Sequence, residues 1–265
     1  DQQYVKQLAK SLNIPFITEK WKKSEQTKQG SLEENARKKR FEFLIKTATK
    51  NKTKIIALAH HKNDIAETVL MRILRGSGLQ GLQTILPKRK IENCFFIRPL
   101  CNVLATEIKT FLKQKKTSFI TDPSNKNTDL FRNKIRLNLI PHLQRNYSSN
   151  IVELLSNLSK TASTDYEHLE SQCEDIFEKK SKINKSNTSI EFTLDNFTKL
   201  HRSQKRMLIR QSIARLQGNT NRLSFKHMEN VEAFYIKKTK KSQINLPQKI
   251  SIKIQANKLI ILKTP

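Results

Sequence analysis

The 265-residue sequence contains only five glycines: Gly30, Gly76, Gly78, Gly81 and Gly218. So few leave no Walker A loop, no G-x-G-x-x-G turn and no other glycine-rich phosphate cradle in this chain. A G-x-S-x-G elbow is missing too, which argues against acyl transfer by a serine on that framework. The three cysteines, Cys94, Cys101 and Cys173, form no C-x-x-C pair and no metal-ligand spacing. A sparse, odd count excludes a disulfide framework and fits a reducing compartment. No apolar run approaches the roughly 20 residues needed to cross a bilayer. Acid is also scarce, with 23 Asp and Glu against 51 Lys and Arg and a net charge of +28. Such a balance favours a polyanionic partner, nucleic acid before membrane, unless a Lys- and Asn-rich proteome accounts for it.

The chain opens at Asp1 inside an amphipathic pattern of Tyr4, Val5, Leu8 and Leu12, without signal- or transit-peptide character. It reads as a chain whose N-terminal part lies upstream. Through residues 1–145, short apolar runs alternate with helical patterns. Ile14–Thr18, Ile55–Ala59 and Phe95–Leu100 are predicted strands; Leu32–Thr49, Asp64–Arg75 and Leu104–Lys115 are predicted helices. That alternation implies parallel strands with right-handed crossovers, hence an α/β layered domain. In residues 146–195 apolar positions recur at near-heptad spacing from Ile151 to Ile176, predicting one long helix or a hairpin broken near Ser163. With 5 basic and 9 acidic residues, this stretch reads as an acidic spacer. Residues 196–265 carry 16 Lys and Arg against 2 acidic residues. That local excess is more than a uniform compositional bias produces. There Ser203 is expected to cap a helix ending at Gly218, Ser224 a second running to about Ile236, and Ile250–Ile254 with Lys258–Leu262 a closing β-hairpin, together a small α+β module.

The densest chemistry lies in Leu58–Gly78. A predicted strand runs into His60 and His61, then a helix, then Arg75-Gly76-Ser77-Gly78. In an open α/β sheet the carboxyl ends of strands are where ligands bind. Helical spacing puts Asp64, Thr68, Met71 and Arg75 on one side, Glu67 and Arg72 at its edges, and Ile65, Val69, Leu70 and Ile73 opposite, toward a core. Two carboxylates one turn apart suit a cationic amine, a metal ion or a proton in transit. The same Asp-x-x-Glu spacing is also a capping box, with Asp64 as the cap. Arg75-Gly76 reads equally well as a helix C-cap. Farther along, Asp122-Pro-Ser-Asn125 is turn chemistry, and Arg132 and Arg136 stand one helical turn apart ahead of Pro141, which is expected to end that helix. Paired guanidiniums grip phosphate well, though a solvated basic helix has the same pattern. Glu34, Arg37 and Arg40 permit either intrahelical ion pairing or a second phosphate-directed pair. Arg202, Arg206 and Arg210, with Lys205 alongside, form a stripe suited to a nucleic-acid backbone.

Three of these motifs, in order, resemble the tRNA(Ile)-lysidine synthetase family of the PP-loop ATP pyrophosphatase superfamily. They are His60-His61-Lys62-Asn63-Asp64-Ile65-Ala66-Glu67-Thr68 with Arg75–Gly78; Asp122–Asn125 with Arg132, Asn133 and Arg136; and Ala36, Arg37, Arg40 and Phe41. Asn63 and Thr121 depart from the family's usual Asp and Glu. The family's S-G-G-x-D-S loop, which follows its first strand, is not in this chain. The resemblance implies an adenine nucleotide alpha hydrolase-like parallel-sheet domain lacking that strand (1–145), a helical spacer (146–195) and a basic tRNA-binding domain (196–265). It implies ATP-dependent ligation of free L-lysine to the wobble cytidine of tRNA(Ile) with a CAU anticodon, through an adenylated tRNA, with Mg²⁺ accompanying ATP.

On that resemblance Asp64 and Glu67 would bind the lysine ammonium and take its proton, and His60 and His61 would shape the pocket. Arg132 and Arg136, with Arg37 and Arg40, would meet charge at the α-phosphate; Arg75 and Asn133 join the ATP-phosphate set. Arg202, Lys205, Arg206 and Arg210 would bind tRNA. The implied compartment is the bacterial cytoplasm, with the plastid stroma as an alternative. A non-catalytic basic RNA-binding protein, or a degenerate PP-loop relative, is the competing expectation. A PP-loop tRNA thiolase is set aside because Cys94 and Cys101 are poorly spaced for cluster or redox chemistry.

Overall fold

A computed structural model describes residues 2–21, 32–184, 186–220, 222–236 and 243–264, without the side chains of residues 32–34 and 126. The chain divides into two compact units, residues 1–163 and 164–265.

In the first unit, α1 (Gln2–Ser11) and α2 (Leu32–Lys50) precede β1 (Ile55–Ala57), α3 (Lys62–Leu74) and α4 (Leu79–Leu82). The hairpin of β2 (Lys88–Ile91) and β3 (Cys94–Ile97) follows, then α5 (Ala105–Gln114). The sheet has the order β1-β3-β2, with Ile56 parallel to Phe96 and Arg89 antiparallel to it. It is therefore mixed, not all-parallel as the alternation predicts. The reason is β2: Lys88-Arg89-Lys90 is an exposed, charged edge strand with no apolar signal to betray it. The expected strand Ile14–Thr18 does not form. No described strand pairs with it, and an extended segment without a ladder leaves its backbone to water, with Ile14 57% exposed.

Two apolar clusters hold this unit. Phe96, Ile56, Cys94 and Ala48 are buried together, with Phe41 of α2 stacked on Phe96 at 4.9 Å. Ile65, Ala66, Val69 and Leu70 of α3 pack with Cys101, Ile135, Ile140, Val152 and Leu155. Ile73, expected to face a core, is exposed instead.

Beyond a short 3₁₀ turn at Pro123–Lys126, α6 (Phe131–Lys134), a π turn at Ile135–Leu139 and α7 (Ile140–Asn146) run on without a break. Pro141 does not end this rod. The Ile140 N–H reaches back five residues to the Ile135 carbonyl, and the widened turn accommodates a proline that has no N–H to donate.

The following helix, α8 (Ile151–Lys180), is a single helix with no hairpin at Ser163, whose hydroxyl donates to the Ser159 carbonyl at 2.8 Å. Val152 and Leu155 belong to the first unit's core, and Tyr166, Cys173 and Phe177 to the second's. The expected spacer at 146–195 is thus built into both units, because each half of its apolar stripe needs a partner surface to bury it.

In the second unit, β4 (Ser181–Ile183), β5 (Ser189–Thr193), α9 (Leu194–Thr198), α10 (Arg202–Gln217) and α11 (Phe225–Ile236) precede β6 (Gln243–Leu246), β7 (Ile250–Gln255) and β8 (Lys258–Lys263). The five strands form an antiparallel sheet in the order β4-β5-β8-β7-β6. The expected closing hairpin is β7–β8, joined through Ala256 and Asn257, both at positive φ as a tight turn with right-handed twist demands. Ser224 caps α11 as expected, accepting from the His227 N–H at 3.3 Å while His227 Nδ1 accepts from the Ser224 N–H at 3.0 Å. The cap of α10 is His201 instead of Ser203, its Nδ1 accepting from the Ser203 N–H at 3.3 Å.

Gly218 ends α10 at φ 85°, with nothing within 4 Å of where a Cβ would stand. Gly218→Ala therefore carries only the left-handed backbone penalty and is expected to destabilise the second unit by about 1 kcal/mol in urea unfolding. Gly78→Ala, at φ −78° and equally open, should leave stability unchanged.

Candidate active site

The strand β1 ends at Ala57, and the Leu58 N–H still bonds the Ile97 carbonyl at 2.9 Å before His60 and His61 leave the sheet. His61 is the N-cap of α3, and the Asp64 Oδ2 accepts its N–H at 3.0 Å. The capping box thus starts one turn earlier than expected, with Asp64 reaching back and Glu67 released from that duty. Neither acid lies on an open face. Asp64 is 8% exposed and Glu67 1%.

Both acids are met by the two arginines of the Phe131–Asn146 rod. Arg132 donates through Nε to Glu67 Oε2 and through Nη2 to Asp64 Oδ1, each at 2.7 Å. Arg136 donates through Nε to Glu67 Oε1 at 2.5 Å, and its Nη2 lies 3.0 Å from Glu67 Oε2 and 3.3 Å from Asp64 Oδ1. These charge-assisted bonds raise the Arg136 pKa, chiefly through Glu67. Each guanidinium spans both carboxylates, so the four charges cancel. In this structure Arg132 and Arg136 are engaged by the two acids.

The remaining expected residues separate into three groups. Asn133 is buried and donates to the carbonyls of Ser124 at 2.9 Å and Asn127 at 2.8 Å, tying the Asp122–Asn127 turn to the rod. Asp122 opens that turn by accepting the Ser124 N–H, a bond that lowers its pKa. Arg75 is exposed, with its guanidinium 5.6 Å from the Phe131 ring centroid. Asn63, the departure from the family motif, accepts the Ala105 N–H at 2.9 Å and steadies the start of α5.

The second group faces the strand end. His60 Nδ1 accepts from Arg98 Nε at 3.4 Å, and burial outweighs Asp64 to lower the His60 pKa, with Arg98, Arg132 and Arg40 adding to that fall. Arg98 can only donate, so a neutral His60 carries its proton on Nε2. His61 Nε2 stands 3.4 Å from Asp64 Oδ2. Arg37 and Arg40 make no hydrogen bond or ion pair among the described residues, and Arg37 lies 5.5 Å from the Phe41 ring centroid. The Glu34 side chain falls outside the described residues. Arg98 is a residue that sequence reasoning missed, although a lone charge straight after the apolar Cys94–Ile97 run was a legible signal.

The third group is the C-terminal stripe, which the structure engages within its own unit. Arg202 donates to Glu232 Oε2 through Nε at 2.9 Å and Nη2 at 2.6 Å, and Arg206 pairs with Glu232 Oε1. Lys205 donates to the Thr198 carbonyl at 3.0 Å, and Arg210 is lowered in pKa by burial. The expected row of free phosphate contacts is therefore corrected. Arginines four apart on α10 converge on one acid of α11 because that acid is itself buried and needs them. The Arg206 bond is the largest cause that brings the Glu232 pKa to about 2.

Among the described residues no group of three or more His, Cys, Asp or Glu could hold a metal ion. No described helix is long and apolar enough to cross a membrane.

Three segments far apart in sequence thus meet beside a strand terminus in an α/β unit. The PP-loop domain family matches residues 1–143, and the chain belongs to that family. It is 36% identical to a tRNA(Ile)-lysidine synthase of Caldanaerobacter subterraneus subsp. tengcongensis over 99% of this chain and 55% of that protein. It is 34% identical to one of Clostridioides difficile over 95% of this chain and 52% of that protein. The chain spans about half the length of the curated relatives it matches. Among solved structures, the U34-tRNA thiolase NcsA of Methanococcus maripaludis with its 4Fe-4S cluster aligns at TM-score 0.46 and 16% identity, over 60% of this chain and 55% of that one.

Two outcomes follow from the ion pairs. Glu67→Gln should cost about 3 kcal/mol, the scale for breaking a buried pair, and combined with Arg136→Met the loss should fall short of the sum of the single losses in chemical denaturation. Glu232, depressed from 4.5 to about 2, contributes stability fully above pH 4.5 that is lost as pH falls toward 2. The melting-temperature gap between wild type and Glu232→Gln should close over that window.

Proposed function

We propose that this chain serves the ATP-dependent ligation of free L-lysine to the wobble cytidine of tRNA(Ile) with a CAU anticodon, forming lysidine. The observation that carries this reading is the convergence of Asp64, Glu67, Arg132, Arg136 and His60 at the carboxyl end of β1, from motifs shared with the lysidine synthases.

The cytidine C2 oxygen takes the adenylyl group of ATP as the α–β phosphoanhydride bond breaks and pyrophosphate leaves, which turns that oxygen into a leaving group. The lysine ε-amine then forms the new C–N bond, the C2–O bond breaks with AMP, and the amine gives up its proton. Asp64 is the better acid for the incoming ammonium. Its Oδ1 is shared with Arg136 Nη2 at 3.3 Å, a weaker contact than any that saturates Glu67. A lysine ammonium displacing that contact would place its nitrogen beside a carboxylate able to receive the proton. Glu67 and the two arginines hold Asp64 in place. His60, protonated on Nε2, offers a neutral donor at the strand end. Arg37 and Arg40, cationic and without an ion pair among the described residues, suit the phosphates of ATP. The carboxylates here do not fit Mg²⁺, since guanidiniums already occupy their oxygens, and no step is routed through a metal. Cationic side chains of the second unit supply affinity for tRNA without sequence choice. A reaction that needs ATP, free lysine and tRNA together points to the bacterial cytoplasm.

Labelled lysine should be incorporated with the CAU-anticodon transcript and ATP, and not with a GAU-anticodon transcript. Asp64→Asn should reduce incorporation at least tenfold with tRNA affinity, measured by filter binding, changed less than twofold. Equal losses in both would remove Asp64 from the reaction.

A further inference from the structure

One face of the first unit's sheet gathers positive charge that no acid among the described residues pairs with. Arg89 stands directly opposite Phe96 in the antiparallel β2–β3 pair, so the two side chains share a face. Arg98 follows Phe96 by two residues and continues on that face. Phe41 stacks on Phe96 at 4.9 Å, and Arg37 lies 5.5 Å from the Phe41 centroid. Lys88 marks the other face, its Nζ 4.5 Å from the centroid of Phe95.

Arg98 is held in place, and none of the three arginines has a carboxylate partner among the described residues. Arg98 is only 7% exposed and is fixed by Nη1 to the Leu86 carbonyl at 2.6 Å and by Nε to His60 Nδ1 at 3.4 Å. Its Nη2 has no hydrogen-bond partner among the described residues and keeps some contact with solvent. Arg37 and Arg89 make no hydrogen bond or ion pair among the described residues. Burial comes first in lowering the Arg37 and Arg98 pKa values; repulsion from Arg40 and then Arg89 follows for Arg37, and from Arg89 and then Arg37 for Arg98. Keeping a guanidinium nearly buried beside two others is unfavourable unless an anion completes the group. Asp64 and Glu67 cannot do so, being neutralised by Arg132 and Arg136.

We propose that Arg37, Arg89 and Arg98 form an oxyanion subsite on this sheet face that takes a phosphate group, from a nucleotide's polyphosphate or from an RNA backbone. Planar guanidiniums approaching from a helix, an edge strand and a strand end can each present paired donors to different phosphate oxygens. The subsite adds Arg89 and Arg98 to the strand-end chemistry and does not require the ligase reading.

The full chain is titrated with inorganic pyrophosphate and, separately, with a tRNA(Ile) transcript, by calorimetry and by thermal melting. Arg89→Gln and Arg37→Gln lie at exposed positions and test the site without emptying a core. Each should raise the anion-free melting temperature, because a repelling charge is gone, and shrink the rise that ligand produces. A loss of about tenfold or more in pyrophosphate affinity with tRNA binding unchanged assigns the subsite to a nucleotide tail. A comparable loss for tRNA alone assigns it to the RNA backbone. Wild-type affinity for both ligands in both variants overturns the proposal, as does a lowered melting temperature with the ligand-induced rise intact. If a protein that carries this chain together with the family's S-G-G-x-D-S loop binds pyrophosphate in this arginine-dependent way yet incorporates no lysine, the ligase reading fails and the subsite stands.

Discussion

A carboxylate that is 1% exposed keeps its charge only if its oxygens are filled with donors, and for Glu67 those donors come from residues 65 and 69 positions later in the chain. That requirement organises the first unit. To bring Arg132 and Arg136 over Glu67, the Phe131–Asn146 rod must lie against α3, and that docking buries Ile135 and Ile140 with Ile65 and Val69. The same placement sets Asn133 to gather the Asp122–Asn127 turn. Asp64 joins from one turn earlier, sharing both guanidiniums, and so the α3 N-terminus is fixed along with the histidines that precede it. Apolar burial supplies the bulk of the stabilisation, and the ion lattice decides which arrangement is stabilised.

Cancellation within this lattice leaves the other arginines of the strand end without counter-charge among the described residues. Charge counts along the sequence do not reveal that division. Arg132 and Arg136 looked like phosphate ligands by spacing, and Arg202 with Arg206 looked like a nucleic-acid stripe, yet in each case a buried glutamate claims the pair. Of the other arginines, Arg37 and Arg40 share one turn of α2, but Arg89 and Arg98 come from two other stretches, and no single periodicity links the four. Spacing rules detect neighbours on one helix. They say nothing about which acid a fold will place opposite.

Elements whose signal is local were readable in advance. The β1-to-α3 order, α5, the β7–β8 hairpin, the Gly218 end of α10 and both ends of α11 all follow from apolar period, capping chemistry and turn residues. Those that depend on a distant partner were not. Strand β2 is charged because it is an edge, so its pairing with β3 has no apolar signature. Ile14–Thr18 has strand composition but no described ladder. The long α8 looked like a spacer because its acidic face dominates its composition, while the stripe that matters is divided between two cores. Of the candidate site, Asp64, Glu67, His60 and the arginine pair were legible as residues. Their mutual neutralisation was not, because it arises only once the rod has docked.

The wide turn at Ile135–Leu139 has a consequence for how this segment tolerates change in length. Ile135 and Ile140 are five residues apart and both buried in one cluster, whereas a regular α-helix would turn the second about 140° away from the first. Loops absorb insertions and deletions readily, but here a single codon lost would swing every later side chain of the rod around its axis. Either the guanidiniums upstream or the isoleucine downstream would then face the wrong way. The spacing between Arg132 and Ile140 is therefore a fixed ruler, and relatives keeping both features should match it residue for residue even where the surrounding sequence has drifted.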